Sequence, residues 1–181
     1  MDISAPSLEK ARMLAAYTGL AGQVETRLGD GFAPVAHGEA DGSALMGMGG
    51  ALMVRLLEAC PAPLNGAERC VFQPMRGVED IRSYLFSRGY PILEDRVVEE
   101  AGRYYQVFLA KPPESGGRAS LPPGWPEDCF LLGYTAFANR DPLTLILARR
   151  MLIQREGRLR RGGAAGLEAQ ARQLRQIIGN W

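Results

Sequence analysis

Cysteine is scarce in this sequence of 181 residues, and its spacing excludes two classes of protein. The three cysteines, Cys60, Cys70 and Cys129, are odd in number, far apart and not part of any CxxC pair. A disulfide framework needs paired cysteines, and a structural zinc site needs clustered ones. We therefore expect free thiols and no bound metal.

Long apolar runs are also missing. No apolar stretch approaches the roughly 18 residues that a membrane-spanning helix needs. The first ten residues, MDISAPSLEK, lack the basic segment followed by an apolar one that is typical of a secretory signal. The sequence therefore predicts a cytoplasmic protein that has no membrane partner.

Two familiar catalytic patterns are absent as well. The single histidine, His37, has no serine or cysteine nucleophile pattern around it, so we interpret it as a surface residue. No GxxxxGK[ST] segment is present, which excludes the usual nucleotide-binding P-loop. Asp41 lies at the amino end of a predicted strand, and we interpret it as structural rather than as a general base.

The sequence does contain an uneven distribution of charge. Residues 149–181 hold eight arginines against Glu156 and Glu168, so this tail carries +6, and residues 1–148, by difference from the total of +1, carry −5. A basic tail on an acidic body is typical of a protein that binds a polyanion, and equally of a solvated helix face rich in arginine. Charge alone leaves both interpretations open.

Short strands alternate with helices over the first ninety residues. The sequence predicts a helix that is capped by Ser4, has Pro6 in its first turn and ends at Gly19. Its predicted apolar face holds Leu8, Ala11, Leu14 and Ala15. Strands are predicted at VETRLGDG, DGSALMGMGG and RCVFQP, the last one stopped by Pro74. Helices are predicted over 51–59 and over GVEDIRSYLFSRGY, the second with Ile81, Tyr84 and Leu85 inward and Gly89 as its stop. This alternation predicts an α/β fold, a parallel sheet with helices on both faces.

The pattern changes after Pro91. ILEDRVVEE and RYYQVFLA alternate with period two around Ala101–Gly102, which predicts an antiparallel hairpin at the sheet edge. Leucines spaced by seven residues, at 145, 152 and 159 and again at 167 and 174, predict a C-terminal helical hairpin, with two independent surface helices as the alternative. We expect an α/β domain over 1–111, a linker rich in Pro and Gly over 112–128, and a basic, coiled-coil-like helical domain over 129–181.

Two glycine turns follow predicted strands, LGDG and MGMGG. Ligands of open α/β sheets bind beyond the carboxyl ends of the strands, where glycine lets them approach the backbone. Asp2 ends an earlier strand, and an acid there commonly accepts hydrogen bonds from ribose hydroxyls, although the position alone favours a residue of a frayed chain end. Each turn alone is a weak signal, but together they predict a site at this rim.

Several of these segments occur in a specific order: DISAPSLEKA, VETRLGDG, GMGG, ERCVFQP, LFSRGY and VVEEAGRYYQVFLA. In this order they resemble the bacterial tRNA (adenine 22, N1)-methyltransferase family, S-adenosylmethionine-dependent enzymes of the class I Rossmann-like fold. The resemblance covers residues 2–110 and resumes at LLGYTAFANRDPL. Its most specific part is GMGG, then QP about two dozen residues later, then EEAG followed by an aromatic residue.

The resemblance implies methylation of N1 of adenine 22 in tRNA, with S-adenosyl-L-methionine as the cofactor. It places the cofactor ribose at Asp2 and Ile3, its adenine at Gly29, Asp30 and Gly31, and the transferred methyl at Gly47, Met48, Gly49 and Gly50. Gln73 and Pro74 would lie beside that methyl, and the basic tail would add Arg149, Arg150, Arg155 and Arg158 as contacts to tRNA. The alternatives are a noncatalytic RNA-binding remnant and a methyltransferase for a small molecule, and eight tail arginines argue against the second.

The family pattern also includes a strand and an acidic, glycine-containing turn ahead of the segment that matches Asp2. By analogy with similar units this part spans about 30 residues, and its strand lies in the middle of the family's sheet. We expect a chain without it to leave backbone groups unpaired, at roughly 1–3 kcal/mol for each buried one. We also expect such a chain to bind S-adenosylmethionine poorly until an N-terminal extension is added.

Overall fold

The computed structural model of the chain describes residues 1–36, 38–59, 69–112, 121–162 and 165–181. His37 and Cys60, considered above, lie outside these ranges. The elements are α1 (Ala5–Tyr17), β1 (Gly42–Gly49), α2 (Gly50–Ala59), β2 (Arg69–Arg76), α3 (Val78–Ser87), β3 (Ile92–Glu100), β4 (Arg103–Ala110), α4 (Tyr134–Ala138), α5 (Pro142–Leu159) and α6 (Ala165–Gly179). Among the described residues, no helix is both long and apolar enough to cross a bilayer.

Four strands form one mixed sheet in the order β1-β2-β4-β3. β1 and β2 run parallel, whereas β4 runs antiparallel to both β2 and β3. β3 and β4 are joined by Ala101 and Gly102, whose φ angles of 49° and 77° give the tight turn that matches the twist of a hairpin. The predicted hairpin at the sheet edge is confirmed.

Helix α1 begins where the sequence predicts. The Ser4 hydroxyl oxygen accepts a hydrogen bond from the backbone N–H of Ser7, at 3.3 Å, and a proline lies in the first turn. The predicted apolar face is only half right, because Leu8 and Ala15 are buried but Ala11 and Leu14 are exposed. Only one narrow face of α1 packs against the rest of the protein. Leu8 and Ala15, seven residues apart, lie on this face and are buried, whereas residues 9–14 are exposed.

The strand predicted over VETRLGDG is wrong, because the segment forms a single parallel bridge between Asp2 and Leu28. In this bridge the Asp2 N–H donates to the Arg27 carbonyl oxygen at 3.3 Å, and the Gly29 N–H donates to the Asp2 carbonyl oxygen at 3.1 Å. A strand extends only where a neighbour supplies partners along its length. Within the part of the chain that the structure describes, only Asp2 supplies them here.

Strand β2 does not stop at Pro74, contrary to the prediction, but continues to Arg76. The register between β1 and β2 shifts at Met48, which lies opposite Pro74. Proline has no N–H to give to the ladder, and strands accept it at such irregularities. The helix that follows, α3, forms as predicted: it buries Ile81 and Leu85 completely, while Tyr84 is only partly buried against the core.

The C-terminal helices α5 and α6 pack against each other as a hairpin. Arg155 Nε donates to Gln170 Oε1 at 2.8 Å, and an Arg175 guanidinium N–H donates to Glu156 at 2.7 Å. The predicted helical hairpin is therefore confirmed, and the alternative of two independent helices is wrong.

One hydrophobic cluster includes side chains of the sheet and of the C-terminal helices. The rings of Phe72 on β2 and Phe108 on β4 stack with centroids 5.4 Å apart. Leu174 and Ile177 of α6 are fully buried in the same cluster. The helical hairpin is thus packed onto the sheet, while the three-part division of the chain at 111 and 128 stays a prediction.

Three aromatic residues lie in contact where the segment before α4 meets the chain's end. The Phe137 ring centroid is 5.3 Å from that of Trp125 and 5.6 Å from that of Trp181. Trp125 falls within the predicted linker, yet only 5% of it is exposed, and its indole N–H donates to the Cys129 carbonyl oxygen at 3.0 Å. Residues 113–120 of the predicted linker lie outside the described residues.

Helix α3 contains a buried arginine. Arg82 is fully buried, and its guanidinium donates to Asp95 Oδ1 at 2.5 Å and to Gln106 Oε1 at 2.8 Å. The same guanidinium lies over the Phe108 ring, 4.6 Å from its centroid. The burial of this residue was not predictable from the sequence, because an arginine on a helix is usually solvated.

The partners of Arg82 are themselves bonded to the segment that leads into α4. Asp95 Oδ2 accepts from the Thr135 hydroxyl at 2.7 Å and from the Thr135 N–H at 3.3 Å. Gln106 Nε2 donates to the Leu131 carbonyl oxygen at 3.0 Å. The network therefore joins α3, β3 and β4 to the chain that enters the C-terminal helices.

We predict that Asp95→Ala lowers the free energy of unfolding by about 3–5 kcal/mol, because it leaves the buried Arg82 charge without its carboxylate partner. Glu94→Ala is the matched control: Glu94 precedes Asp95 on β3 and pairs with the exposed Arg96, so its loss should cost no more than about 1 kcal/mol. Urea unfolding monitored by circular dichroism measures both. Equal, small changes in the two variants would show that the buried pair does not hold the fold.

Candidate functional site

The glycine turn and the QP pair predicted to form the site lie side by side at the carboxyl ends of β1 and β2. Because the two strands are parallel, the ladder places Met46 opposite Gln73, Met48 opposite Pro74 and Gly49 opposite Arg76. Residues separated by more than twenty positions in the sequence therefore share one rim of the sheet. We call residues 46–50 and 73–76 the glycine rim.

A side-chain hydrogen bond ties the two halves of the glycine rim together. Gln73 Oε1 accepts from the backbone N–H of Gly47 at 3.1 Å, and Gln73 Nε2 contacts Met75 Sδ at 3.4 Å. The amide of Gln73 is thereby oriented, with its oxygen toward β1. Met46 and Met75 are each 52% exposed, so the rim also presents polarisable apolar side chains to solvent.

Two of the three rim glycines are required by the fold. Gly47 has φ of +79°, a left-handed conformation that side chains rarely adopt. At Gly50 the backbone approaches the next strand–helix junction so closely that a Cβ would lie 1.8 Å from the Gly77 carbonyl oxygen. These two glycines shape the turn between β1 and α2, whatever binds there.

Gly49 differs from both. Its φ is not positive, and a Cβ built on it would meet the Arg76 side chain at 3.4 Å and 3.6 Å, which are ordinary contact distances. Neither the backbone nor the packing requires glycine at this position. A missing side chain that the fold does not need leaves bare backbone at the rim, which fits close approach by a ligand.

Asp2 and Ile3, predicted to hold a ribose, are both exposed. Asp2 Oδ1 accepts from the Ser4 N–H at 2.8 Å, so one carboxylate oxygen helps to form the turn into α1. The bridge to Leu28 places Asp2 directly beside Gly29. The structure thus brings the predicted ribose acid together with the predicted adenine-binding turn.

The turn of Gly29, Asp30 and Gly31 packs onto the chain around it. A Cβ at Gly29 would lie 2.3 Å from Pro34 Cγ, and one at Gly31, where φ is +54°, would lie 2.7 Å from Leu56 Cδ2. Leu56 belongs to α2, the helix that begins at the glycine rim. Helix α2 therefore connects this turn to the rim, and Asp30 is exposed between the two glycines.

The four predicted tail arginines have different surroundings. Arg149, Arg150 and Arg158 are exposed on α5. Arg155 is half-buried inside the helical hairpin, where it donates to Gln170 and to the Met151 carbonyl oxygen, and burial lowers the pKa of its guanidinium. Arg155 therefore mainly stabilises the packing of the helical hairpin, whereas the other three arginines present their charge to solvent.

A groove that the sequence did not predict adjoins the glycine rim. It has a volume of about 500 Å³ and lies between the end of β2, the hairpin turn and α5, with Met75, Arg103, Tyr104 and Arg150 among its lining residues. We call it the β2–α5 groove. The signal that could have revealed it is the run of one arginine and two tyrosines after EEAG, since basic and aromatic residues together are typical of nucleic-acid-binding surfaces.

Comparison with known proteins relates this architecture to one family. A family model described as "Methyltransferase domain" matches residues 1–108. The tRNA (adenine(22)-N(1))-methyltransferase of Bacillus subtilis (strain 168) is 38% identical over 101 residues, which cover 56% of this chain and 41% of that enzyme. The chain thus matches about two fifths of the length of that curated relative.

Solved structures extend the similarity to nearly the whole chain. The crystal structure of the B. subtilis M1A22 tRNA methyltransferase TrmK matches with a TM-score of 0.77 and 27% identity, covering 97% of this chain and 78% of that one. The structure of M. capricolum TrmK in complex with S-adenosyl-homocysteine matches with a TM-score of 0.74 and 16% identity, over 99% of this chain and 77% of that one. The predicted α/β, Rossmann-like fold with a helical C-terminal region is confirmed.

We predict opposite outcomes for alanine at two neighbouring glycines of the rim. Gly50→Ala should lower the free energy of unfolding by about 1–3 kcal/mol, because its Cβ cannot coexist with the Gly77 carbonyl without movement of the backbone. Gly49→Ala should change it by less than about 0.5 kcal/mol. Chemical denaturation of both variants tests this, and a stability loss at Gly49 as large as at Gly50 would mean that the fold itself needs both glycines.

Proposed function

The chain belongs to the methyltransferase-domain family, and from this membership we propose that it transfers a methyl group from S-adenosylmethionine to N1 of adenine 22 in tRNA. The similarity to the B. subtilis enzyme supports this choice of substrate. The observation that carries the proposal is the hydrogen bond between Gly47 and Gln73, since it unites the two most specific sequence motifs at one rim.

The residues present fit the nucleoside end of the cofactor. The exposed carboxylate of Asp2, which can accept hydrogen bonds from ribose hydroxyls, lies beside Gly29, in a turn that has little side-chain bulk. In this proposal Asp2 accepts hydrogen bonds from the ribose, and the turn of Gly29 to Gly31 borders the adenine. S-adenosylmethionine supplies an electrophilic methyl group when it is bound.

The glycine rim has the task of positioning the target base. N1 of adenine is a ring nitrogen with a free lone pair, so its methylation needs little help from an acid or a base, and alignment accounts for most of the barrier that the protein can lower. Bare backbone at Gly49 lets the base approach, and rim carbonyls can accept from its exocyclic amine. The fixed amide of Gln73 adds a polar group of known orientation beside it.

Binding to the rest of the RNA must offset the cost of exposing the base. N1 lies on the pairing edge of adenine, so the nucleotide has to be unpaired or turned out of its stack, at a cost of a few kcal/mol. Exposed arginines of the helical hairpin, among them Arg149, Arg150 and Arg158, can contact phosphates and supply this energy. A tRNA substrate also makes the cytoplasm the proposed location.

Two transcripts test the proposed reaction. Because weak binding of the cofactor is expected, S-adenosylmethionine is supplied in large excess. We then expect the chain to form 1-methyladenosine in a tRNA transcript with adenine at position 22 and none in a transcript with guanine there. Mass spectrometry of the digested nucleosides measures both. Equal methylation of the two transcripts would refute the assigned position, and RNA binding without methylation would favour the noncatalytic alternative.

We predict that Gly49→Val lowers the methylation rate at least 100-fold, because its side chain would occupy the space that the target base needs. The fold should tolerate the change, since the nearest neighbour is the exposed Arg76 side chain. Gly22→Val is the control, because Gly22 also has no positive φ and a Cβ there meets nothing within 4 Å. Initial methylation rates are compared at equal concentrations of folded protein. A Gly49→Val variant that methylates as fast as the parent chain would show that Gly49 does not border the target base.

A further inference from the structure

We infer that the β2–α5 groove binds an unpaired nucleotide of the RNA substrate, with Arg150 as the platform on which its base stacks. This inference rests on the proposed function and adds to it a second contact site, separate from the methylated base. It is carried by the geometry of Arg150, by the charge of the groove and by its position next to the glycine rim.

Arg150 is held in place on two sides. Its guanidinium lies over the Tyr104 ring, 4.8 Å from the centroid, and its Nη1 donates to the Gly102 carbonyl oxygen at 3.3 Å. A guanidinium is planar and weakly hydrated, so one face can rest on a tyrosine while the other receives a nucleobase. Because both contacts exist before RNA arrives, little side-chain entropy remains to be lost on binding.

The charge of the β2–α5 groove suits the phosphates that accompany such a base. Its lining includes Arg103 and Arg150, and no carboxylate is among the described residues that line it. Two acidic residues of the hairpin lie near the groove without lining it. Glu100 is exposed and lies opposite Arg103 in the β3–β4 register, whereas Glu99 uses its carboxylate to accept from the Gly102 N–H at 2.7 Å. That bond closes the hairpin turn and keeps the carboxylate engaged with backbone.

The position of the β2–α5 groove indicates that a nucleotide next to the target base binds there. Pro74 and Met75 line it, and they directly follow Gln73 of the glycine rim. An RNA strand whose target base lies at the rim therefore passes the mouth of the groove with a neighbouring nucleotide. A volume of about 500 Å³ lies within the range of small-molecule sites, which a single nucleotide matches in size.

The test compares two adjacent arginines of the same helix. Arg149 is exposed on α5 like Arg150 but does not line the groove, so Arg149→Ala and Arg150→Ala remove equal charge from different places. Dissociation constants for a tRNA transcript, measured by fluorescence anisotropy without cofactor over a range of salt, report on binding alone. A fully paired RNA hairpin serves as the second ligand because it offers no unstacked base.

We expect Arg150→Ala to weaken binding of the tRNA transcript about tenfold and Arg149→Ala about twofold, since a stacked base is worth more than one exposed phosphate contact. Both changes should lower the slope of log affinity against log salt by about 1. Arg150→Lys should keep that slope but not the affinity. On the paired RNA hairpin, Arg149→Ala and Arg150→Ala should lose equally little affinity, and Arg150→Lys, which keeps the charge, should lose none.

Tyr104→Leu supplies an independent check. It removes the ring beneath Arg150 without removing charge, so it should weaken binding of the tRNA transcript severalfold at unchanged salt slope, provided that its thermal unfolding shows a folded protein. Equal losses for Arg149→Ala and Arg150→Ala, full recovery by Arg150→Lys, or no measurable binding by the unmodified chain would each overturn the inference.

The two proposals can fail separately. If Arg150→Ala selectively lost affinity for the tRNA transcript but the parent chain did not methylate it, the proposed groove would stand and the proposed methyltransferase activity would be wrong. If methylation were confined to adenine 22 but Arg149→Ala and Arg150→Ala weakened tRNA binding equally, the proposed activity would stand and the proposed groove would be wrong.

Discussion

The buried guanidinium of Arg82 is the contact on which the placement of the C-terminal helices against the sheet depends. Removing a charge from water costs several kcal/mol unless its partners surround it closely. Here a carboxylate from β3, an amide from β4 and an aromatic ring provide them, and the carboxylate and the amide are fixed in turn by the chain that leads into α4. Without the bonds from that segment, the buried carboxylate of Asp95 and amide of Gln106 would be short of hydrogen bonds, in addition to Arg82 Nε, which has no partner among the described residues.

The short stretch between α4 and α5 sets the register of α5 and, through it, the geometry of the proposed RNA surface. Asp141 caps α5 by accepting from the Leu143 N–H at 3.2 Å, and its other oxygen accepts from the Val97 N–H on β3 at 3.4 Å. Helix and strand are thereby aligned, which places Arg150 across from the hairpin turn. The glycine rim and the β2–α5 groove thus both stand on regular elements rather than on free loops, as sites that require precise geometry usually do.

Local chemistry made much of the fold predictable, whereas features that need a distant partner were not. The cap at Ser4, the Ala101–Gly102 turn and the seven-residue leucine spacing act within a few residues, so the sequence alone indicated α1, the β hairpin and the helical hairpin. The failed strand over VETRLGDG and the burial of Arg82 depend on neighbours that are remote in sequence. At the candidate site, the glycine pattern indicated the position of the rim, but only the structure separates Gly47 and Gly50, which the fold requires, from Gly49, which it does not.

The contact of Phe137 with both Trp125 and Trp181 has a spectroscopic consequence. These are the two tryptophans of the sequence, and both lie where the end of α6 meets α4. Intrinsic tryptophan emission therefore reports on the closure of the helical hairpin over the sheet and carries little information about α1 or the bridge at Asp2. Unfolding curves followed by fluorescence and by far-ultraviolet dichroism will coincide only if the N-terminal segment and the aromatic contact are lost in one cooperative step.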